Sequence, residues 1–149
     1  MNKVLVWSLR PAFKSKEQYV KRVASKILKV LKKEKVALEI NLIDDRAMRK
    51  INRRYRGVDK PTNVLSFRES KDFPHPESKL KYLGEIYLSP DYIKKEARVN
   101  GITGYKLLIT SLLVHGILHL LGYTHKNEND RIKMENKERQ LLKFLMTNS

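Results

Sequence analysis

The chain contains no cysteine among its 149 residues. That absence excludes a disulfide scaffold, a thiolate zinc ribbon and a cysteine nucleophile. Any metal site must therefore use His, Asp or Glu. Acidic residues are also scarce beside basic ones: 16 Asp+Glu against 32 Lys+Arg, a formal charge of +16 with His neutral. A thermophile-like surface would raise Glu along with Lys and does not account for the imbalance. A polyanionic partner does, with nucleic acid ahead of an anionic membrane surface. The N-terminus reads as lacking a secretory signal, because its apolar run over residues 4–9 is short, broken by Ser8, and not followed by a small-residue cleavage site. Long apolar runs are missing too, with one approach to the roughly 20 residues of a bilayer span. That stretch, residues 107–125, is uncharged but carries three His, which would be costly in lipid. It reads as a buried helix of a soluble, cytoplasmic protein with no membrane partner and no nucleotide cofactor.

What is present is 41% apolar, too much for a disordered basic tail. The length fits one domain over residues 1–149 with one core. Residues 3–9 read as a strand. Ser15 and Gln18 form a capping box ahead of a helix whose apolar face is Val20, Val23, Ala24, Ile27, Leu28 and Leu31. Residues 36–43 alternate as a strand should. Asp44 is the N-cap of a second helix, 45–55, with Ala47, Met48, Ile51 and Tyr55 facing inward. Its other side carries Arg46, Arg49, Lys50 and Arg53 at i, i+3, i+4, i+7. A Gly/Pro loop over 56–61 leads to a strand at 62–67, an exposed loop at 69–81 that contains His75, and a strand at 84–88. Ser89-Pro90 opens a third helix to residue 99, which Asn100-Gly101 closes. A fourth helix, 105–121, is apolar on most sides and so central, and Gly122 stops it. The last, 128–146, turns Ile132, Met134, Leu141, Leu142 and Leu145 inward. The order βαβαββααα predicts an α+β fold: a four-stranded mixed sheet packed with about five helices, and a metal site at the end of the central helix.

That site rests on His115, His119 and His125. His115 and His119 are four residues apart, roughly 40° apart on one helical face. Gly122 ends the helix in a conformation open to glycine, so the chain turns back and brings His125 toward the same ion. One His in a buried helix is ordinarily a hydrogen-bonded core residue. Two unpartnered imidazoles on an otherwise apolar helix are expensive to bury, and the third follows where a helix stop allows it. Three imidazoles plus water make a tetrahedral site with an open position, the pattern of catalytic zinc. Nickel or another divalent ion suits imidazole as well. The spacing resembles the H-E-x-x-H-x-x-G-x-x-H zinc protease signature, but residue 116 is Gly where the protease needs Glu as general base. Peptide hydrolysis is weakened accordingly.

Three blocks resemble one family. Residues 115–125, HGILHLLGYTH, are similar to the H-G-x-L-H-L-x-G-Y-D-H signature of the YbeY family; residues 55–67, YRGVDKPTNVLSF, are similar to its Y-R-G-x-D-x-P-T-[DN]-V-L-S-F block; and residues 83–86, LGEI, are similar to its L-G-[DE]-I strand. The resemblance implies a single-strand-specific, metal-dependent endoribonuclease that acts in maturation of the 3′ end of 16S small-subunit rRNA and in ribosome quality control. It implies zinc on His115, His119 and His125 and a functional role for Arg56. Thr124 departs from the pattern, standing where the family usually has Asp, and leaves the general base open; Arg68 stands where Pro is common.

For Arg56, spacing alone leaves a solvated loop residue and a bidentate phosphate clamp even; the resemblance favours the clamp, which makes Arg56 the catalytic candidate. Arg46, Arg49, Lys50 and Arg53 are candidates for tracking RNA phosphates, against the alternative of a plain solvated face. Tyr55, Tyr82 and Tyr87 offer rings for base stacking, though core packing explains each equally. Glu85 offers a carboxylate, or an ordinary strand position. Two rivals stand beside the nuclease: a metal-dependent peptidase or amidohydrolase, and a non-catalytic RNA-binding factor associated with the ribosome.

Overall fold

Alternation in the sequence becomes alternation in burial. Along β2 (Val36–Leu42), Val36, Leu38, Ile40 and Leu42 are buried and the residues between them only partly covered, as a period of two requires. The computed structural model describes residues 1–69, 79–101 and 104–147. Before β2 come β1 (Lys3–Ser8), a 3-10 turn (Pro11–Lys16) and α1 (Glu17–Val30). After it come α2 (Asp45–Arg56), β3 (Val64–Arg68), β4 (Lys81–Leu88), α3 (Pro90–Val99), α4 (Tyr105–Leu120) and α5 (Glu128–Thr147). The sheet order is β1-β2-β4-β3. β1, β2 and β4 are parallel, and β3 runs antiparallel to β4, with Val64 opposite Leu88 and Arg68 opposite Gly84. This is the α+β fold expected, a mixed sheet of four strands with five α-helices.

The main core lies between the sheet and α1, α4 and α5, and a smaller separate cluster of Ile43, Met48 and Leu65 lies beneath α2. α1 buries Val20, Ala24, Ile27 and Leu28; α4 buries Ile109, Leu113, Val114, Ile117 and Leu118 among them; and Met134, Leu141 and Leu145 of α5 close the far side. α4 is central, packing against α1, α3, α5, β3 and β4. Its Gly116 is needed for that approach. A Cβ there would stand 3.1 Å from Ile86 Cδ1 and 3.4 Å from Ile86 Cγ1, tighter than comfortable packing allows.

Local expectations fared unevenly. Asp44 caps α2 as expected, accepting from the Ala47 N–H at 2.9 Å. The Ser15/Gln18 capping box does not form. Ser15 lies inside the 3-10 turn, which begins at Pro11 and buries Phe13, and α1 starts later without a side-chain cap. β4 starts at Lys81 rather than residue 84, because pairing with Val36 extends it. Tyr55 and Ile132, expected in the core, are 61% and 44% exposed. The loop holding His75 lies outside the described residues. Among the described residues, no helix is long and apolar enough to cross a membrane.

Candidate metal centre

His115 and His119 stand one turn apart near the C-terminus of α4. The helix stops as glycine permits: Gly122 has φ +104°, and its N–H bonds the His119 carbonyl at 3.0 Å. The next N–H, of Tyr123, reaches back to the Leu118 carbonyl at 3.0 Å. The reversed chain then carries His125 to the other two. His119 Nε2 lies 3.1 Å from His115 Nε2 and 3.0 Å from His125 Nε2.

Partners on the opposite ring nitrogens settle what those Nε2 atoms present. His119 Nδ1 is 3.0 Å from the Tyr123 carbonyl oxygen, which only accepts, so Nδ1 carries the proton and Nε2 a lone pair. His115 Nδ1 is 3.0 Å from Glu138 Oε1, which imposes the same tautomer when that carboxylate is ionised. Two lone pairs facing each other across 3.1 Å repel, unless a cation lies between them. Ligand nitrogens about 2.0–2.1 Å from a tetrahedral ion would be separated by about 3.3 Å, close to the spacing found. Burial, with His115 and His125 nearby, holds His119 below its ordinary pKa and keeps it in the neutral, ligating form. The donor set therefore fits one divalent ion, and its outer hydrogen bonds are the kind that orient metal-binding imidazoles.

The three His line a cleft of ≈ 400 Å³ together with Arg56, Ser66, Arg68 and Thr124. Arg56 is the last residue of α2, and Gly57 ends that helix at φ +70°. The Arg56 side chain is exposed and lines the same cleft as the histidines. Thr124 Oγ1 donates to Asp130 Oδ2 at 3.2 Å, so a carboxylate stands behind the hydroxyl. The expected phosphate-tracking residues lie elsewhere: Arg46, Arg49, Lys50 and Arg53 surround a separate hollow of ≈ 260 Å³ with Asp59. Arg49 holds Asp59 in two parallel bonds, 2.8 and 3.0 Å, which lowers the pKa of the carboxyl and raises that of the guanidinium.

Sequence reading missed three contributors. Glu138 carried a signal, since it falls between Met134 and Leu141 on the buried stripe of α5, where a carboxylate needs a partner. The Tyr123 carbonyl and Arg68 carried none, because a backbone oxygen and a strand-end arginine are unremarkable until the fold places them.

The likeness to known proteins agrees with this geometry. The sequence model of the family described as endoribonuclease YbeY matches residues 10–146. A Persephonella marina protein named endoribonuclease YbeY is 40% identical over 126 residues, covering 85% of this chain and 80% of that one. A protein of the same name from Desulforamulus reducens is 36% identical over 151 residues, covering 97% and 98%. A solution structure of a Thermotoga maritima protein superposes with a TM-score of 0.64 at 24% identity, covering 93% of this chain and 86% of that one, which speaks to the fold alone. Matched from residue 10 to residue 146 and along nearly the whole length of a relative, the chain belongs to the YbeY endoribonuclease family.

Proposed function

We propose that this chain is a metal-dependent endoribonuclease that cuts single-stranded RNA by hydrolysis. Residues 1–149 form its one domain, and maturation of the small-subunit rRNA 3′ end with ribosome quality control is its role. The observation that carries the reading is the shared cleft of Arg56 and the three histidines. Zinc is the first choice of ion, since three imidazoles and an open position suit it; nickel is the second. Such an ion, held by His115, His119 and His125, supplies Lewis acidity for the phosphoryl group or activates water. Arg56 offers a planar pair of donors to the phosphate oxygens and opposes charge that grows in the transition state. Glu138 and the Tyr123 carbonyl hold the histidines in the ligating tautomer. The formal charge of +16 favours RNA and the small ribosomal subunit as partners, and the cytoplasm is the corresponding place of action.

A peptidase would need a carboxylate where Gly116 stands, and that position is packed against Ile86. A purely binding factor would have no use for three converging imidazole nitrogens. The deciding assay incubates metal-replete protein with single-stranded rRNA fragments and with casein, with and without chelator. RNA cleavage lost on chelation, in His115→Ala and in Arg56→Ala supports the reading. Casein cleavage alone, or tight RNA binding without scission, overturns it.

A further inference from the structure

Next to the histidine cleft lies a second concavity, of ≈ 430 Å³, walled by Tyr55, Phe67, Tyr87, Glu85, Arg54 and Arg68. Its aromatic wall is continuous. The Tyr55 and Phe67 centroids are 5.2 Å apart, and those of Phe67 and Tyr87 are 5.8 Å apart. Phe67 and Tyr87 are half-buried, but Tyr55 is 61% exposed and its ring packs under the Arg54 guanidinium at 5.5 Å. Glu85 accepts the Tyr87 hydroxyl at 2.5 Å. Burial and that carboxylate push the phenol pKa up, so Tyr87 remains a donor and holds Glu85 in place. An ionised carboxylate has about four lone-pair sites, and one such bond leaves others for a ligand. Arg68 lines both this concavity and the histidine cleft, so the two meet at that residue.

A partly exposed tyrosine ring, flanked by Arg54, Arg68 and Lys50 and by the carboxylates of Glu85 and Glu69, suits a nucleotide better than an aliphatic ligand. Ring faces stack on any base, and guanidinium groups take phosphate. A carboxylate discriminates among bases because it accepts and does not donate. Guanine presents adjacent N1–H and N2–H donors. Uracil presents a single N3–H between two carbonyl oxygens, which the carboxylate repels. We propose, building on the endoribonuclease reading, that this concavity is a subsite for the nucleobase next to the scissile phosphate. The base stacks on Tyr55, Glu85 reads its edge and prefers guanine to uracil, and Arg68 holds the phosphate at the seam.

The test is binding of two labelled, cleavage-resistant 2′-O-methyl phosphorothioate hexanucleotides, one all uridine and one with a single central guanosine, followed by fluorescence anisotropy on the metal-loaded full chain. Wild type binds the guanosine hexamer at least about fivefold more tightly, within the net worth of a hydrogen bond to a charged group. Tyr55→Ala weakens both by about tenfold, and Tyr55→Phe, which keeps the ring, restores them. Glu85→Gln abolishes the difference, because the amide no longer repels the uracil carbonyl oxygens. Equal wild-type affinity for both hexamers, or unchanged binding in Tyr55→Ala, overturns the subsite. Because scission is read separately, the two failures are distinguishable. Base preference without RNA cleavage overturns the nuclease reading alone, and cleavage without base preference overturns the subsite alone.

Discussion

His115 Nδ1 lies 3.0 Å from Oε1 of Glu138, joining the end of the central helix to the middle of α5. This is a side-chain bond between residues 23 apart in sequence, and it fixes which nitrogen of His115 faces the other two imidazoles. Outer partners of this kind are typically worth about 10–100-fold in metal affinity. Glu138→Ala should weaken zinc binding by about that factor, measured by competition with a chromophoric chelator, with the far-ultraviolet circular dichroism unchanged. Undiminished affinity would show that the carboxylate does not orient the ring.

Gly116 sits where α4 presses on β4. Gly116→Val should cost about 1–3 kcal/mol in urea unfolding, the usual range for overpacking a tight core. The neighbour that must give way is Ile86. In an Ile86→Ala background the same substitution should therefore cost less, since touching side chains couple. Equal cost in both backgrounds would place the strain elsewhere.

Asp44 caps α2, and its carboxyl is held below its ordinary value by the Ala47 N–H first and by Arg10 next. Asp44→Ala should cost about 1 kcal/mol at neutral pH. A depressed folded pKa means that the stabilisation is full above the unfolded value, about 3.9, and fades as pH falls through the folded one. The gap between wild type and variant in chemical unfolding should be widest at neutral pH and narrow as pH falls past the unfolded value. A gap that widened in acid would reverse the assignment.

The basic stripe of α2 lies outside the histidine cleft, so its contribution should be non-specific and electrostatic. Replacing Arg46, Lys50 and Arg53 together by Ala should flatten the dependence of log affinity on log salt. The slope should fall by about 0.7 for each phosphate that is no longer neutralised, the value for single strands. Anisotropy titrations across salt concentrations measure it. Arg49, already engaged with Asp59, should contribute less than its neighbours. An unchanged slope would remove this face from the RNA path.

Much of the site was legible before folding. An i, i+4 histidine pair followed by a glycine stop predicts convergence from helix geometry alone, and the structure brings all three nitrogens together. The alternation of residues 36–42 and the cap at Asp44 were equally readable, because each depends on a few neighbouring residues. The failures share a cause. Ser15 was available to cap α1, but burial of Phe13 drew its segment into a 3-10 turn. Tyr55 has the spacing of a core residue, yet near the end of α2 its ring is covered only in part, by Phe67 and Arg54, and it stays 61% exposed.

By itself, then, the sequence determined the element order, the mixed sheet, the converging histidines and the excess of positive charge. These follow from local periodicity, turn chemistry and composition. Tertiary structure alone decided that Glu138 meets His115, that Arg56 shares a cleft with the imidazoles and that Arg68 lines two cavities. Those relationships depend on how α5 docks through Met134, Leu141 and Leu145 and on how β3 sits beside α4. That docking is set by burial summed over the whole core, which no short window of residues contains.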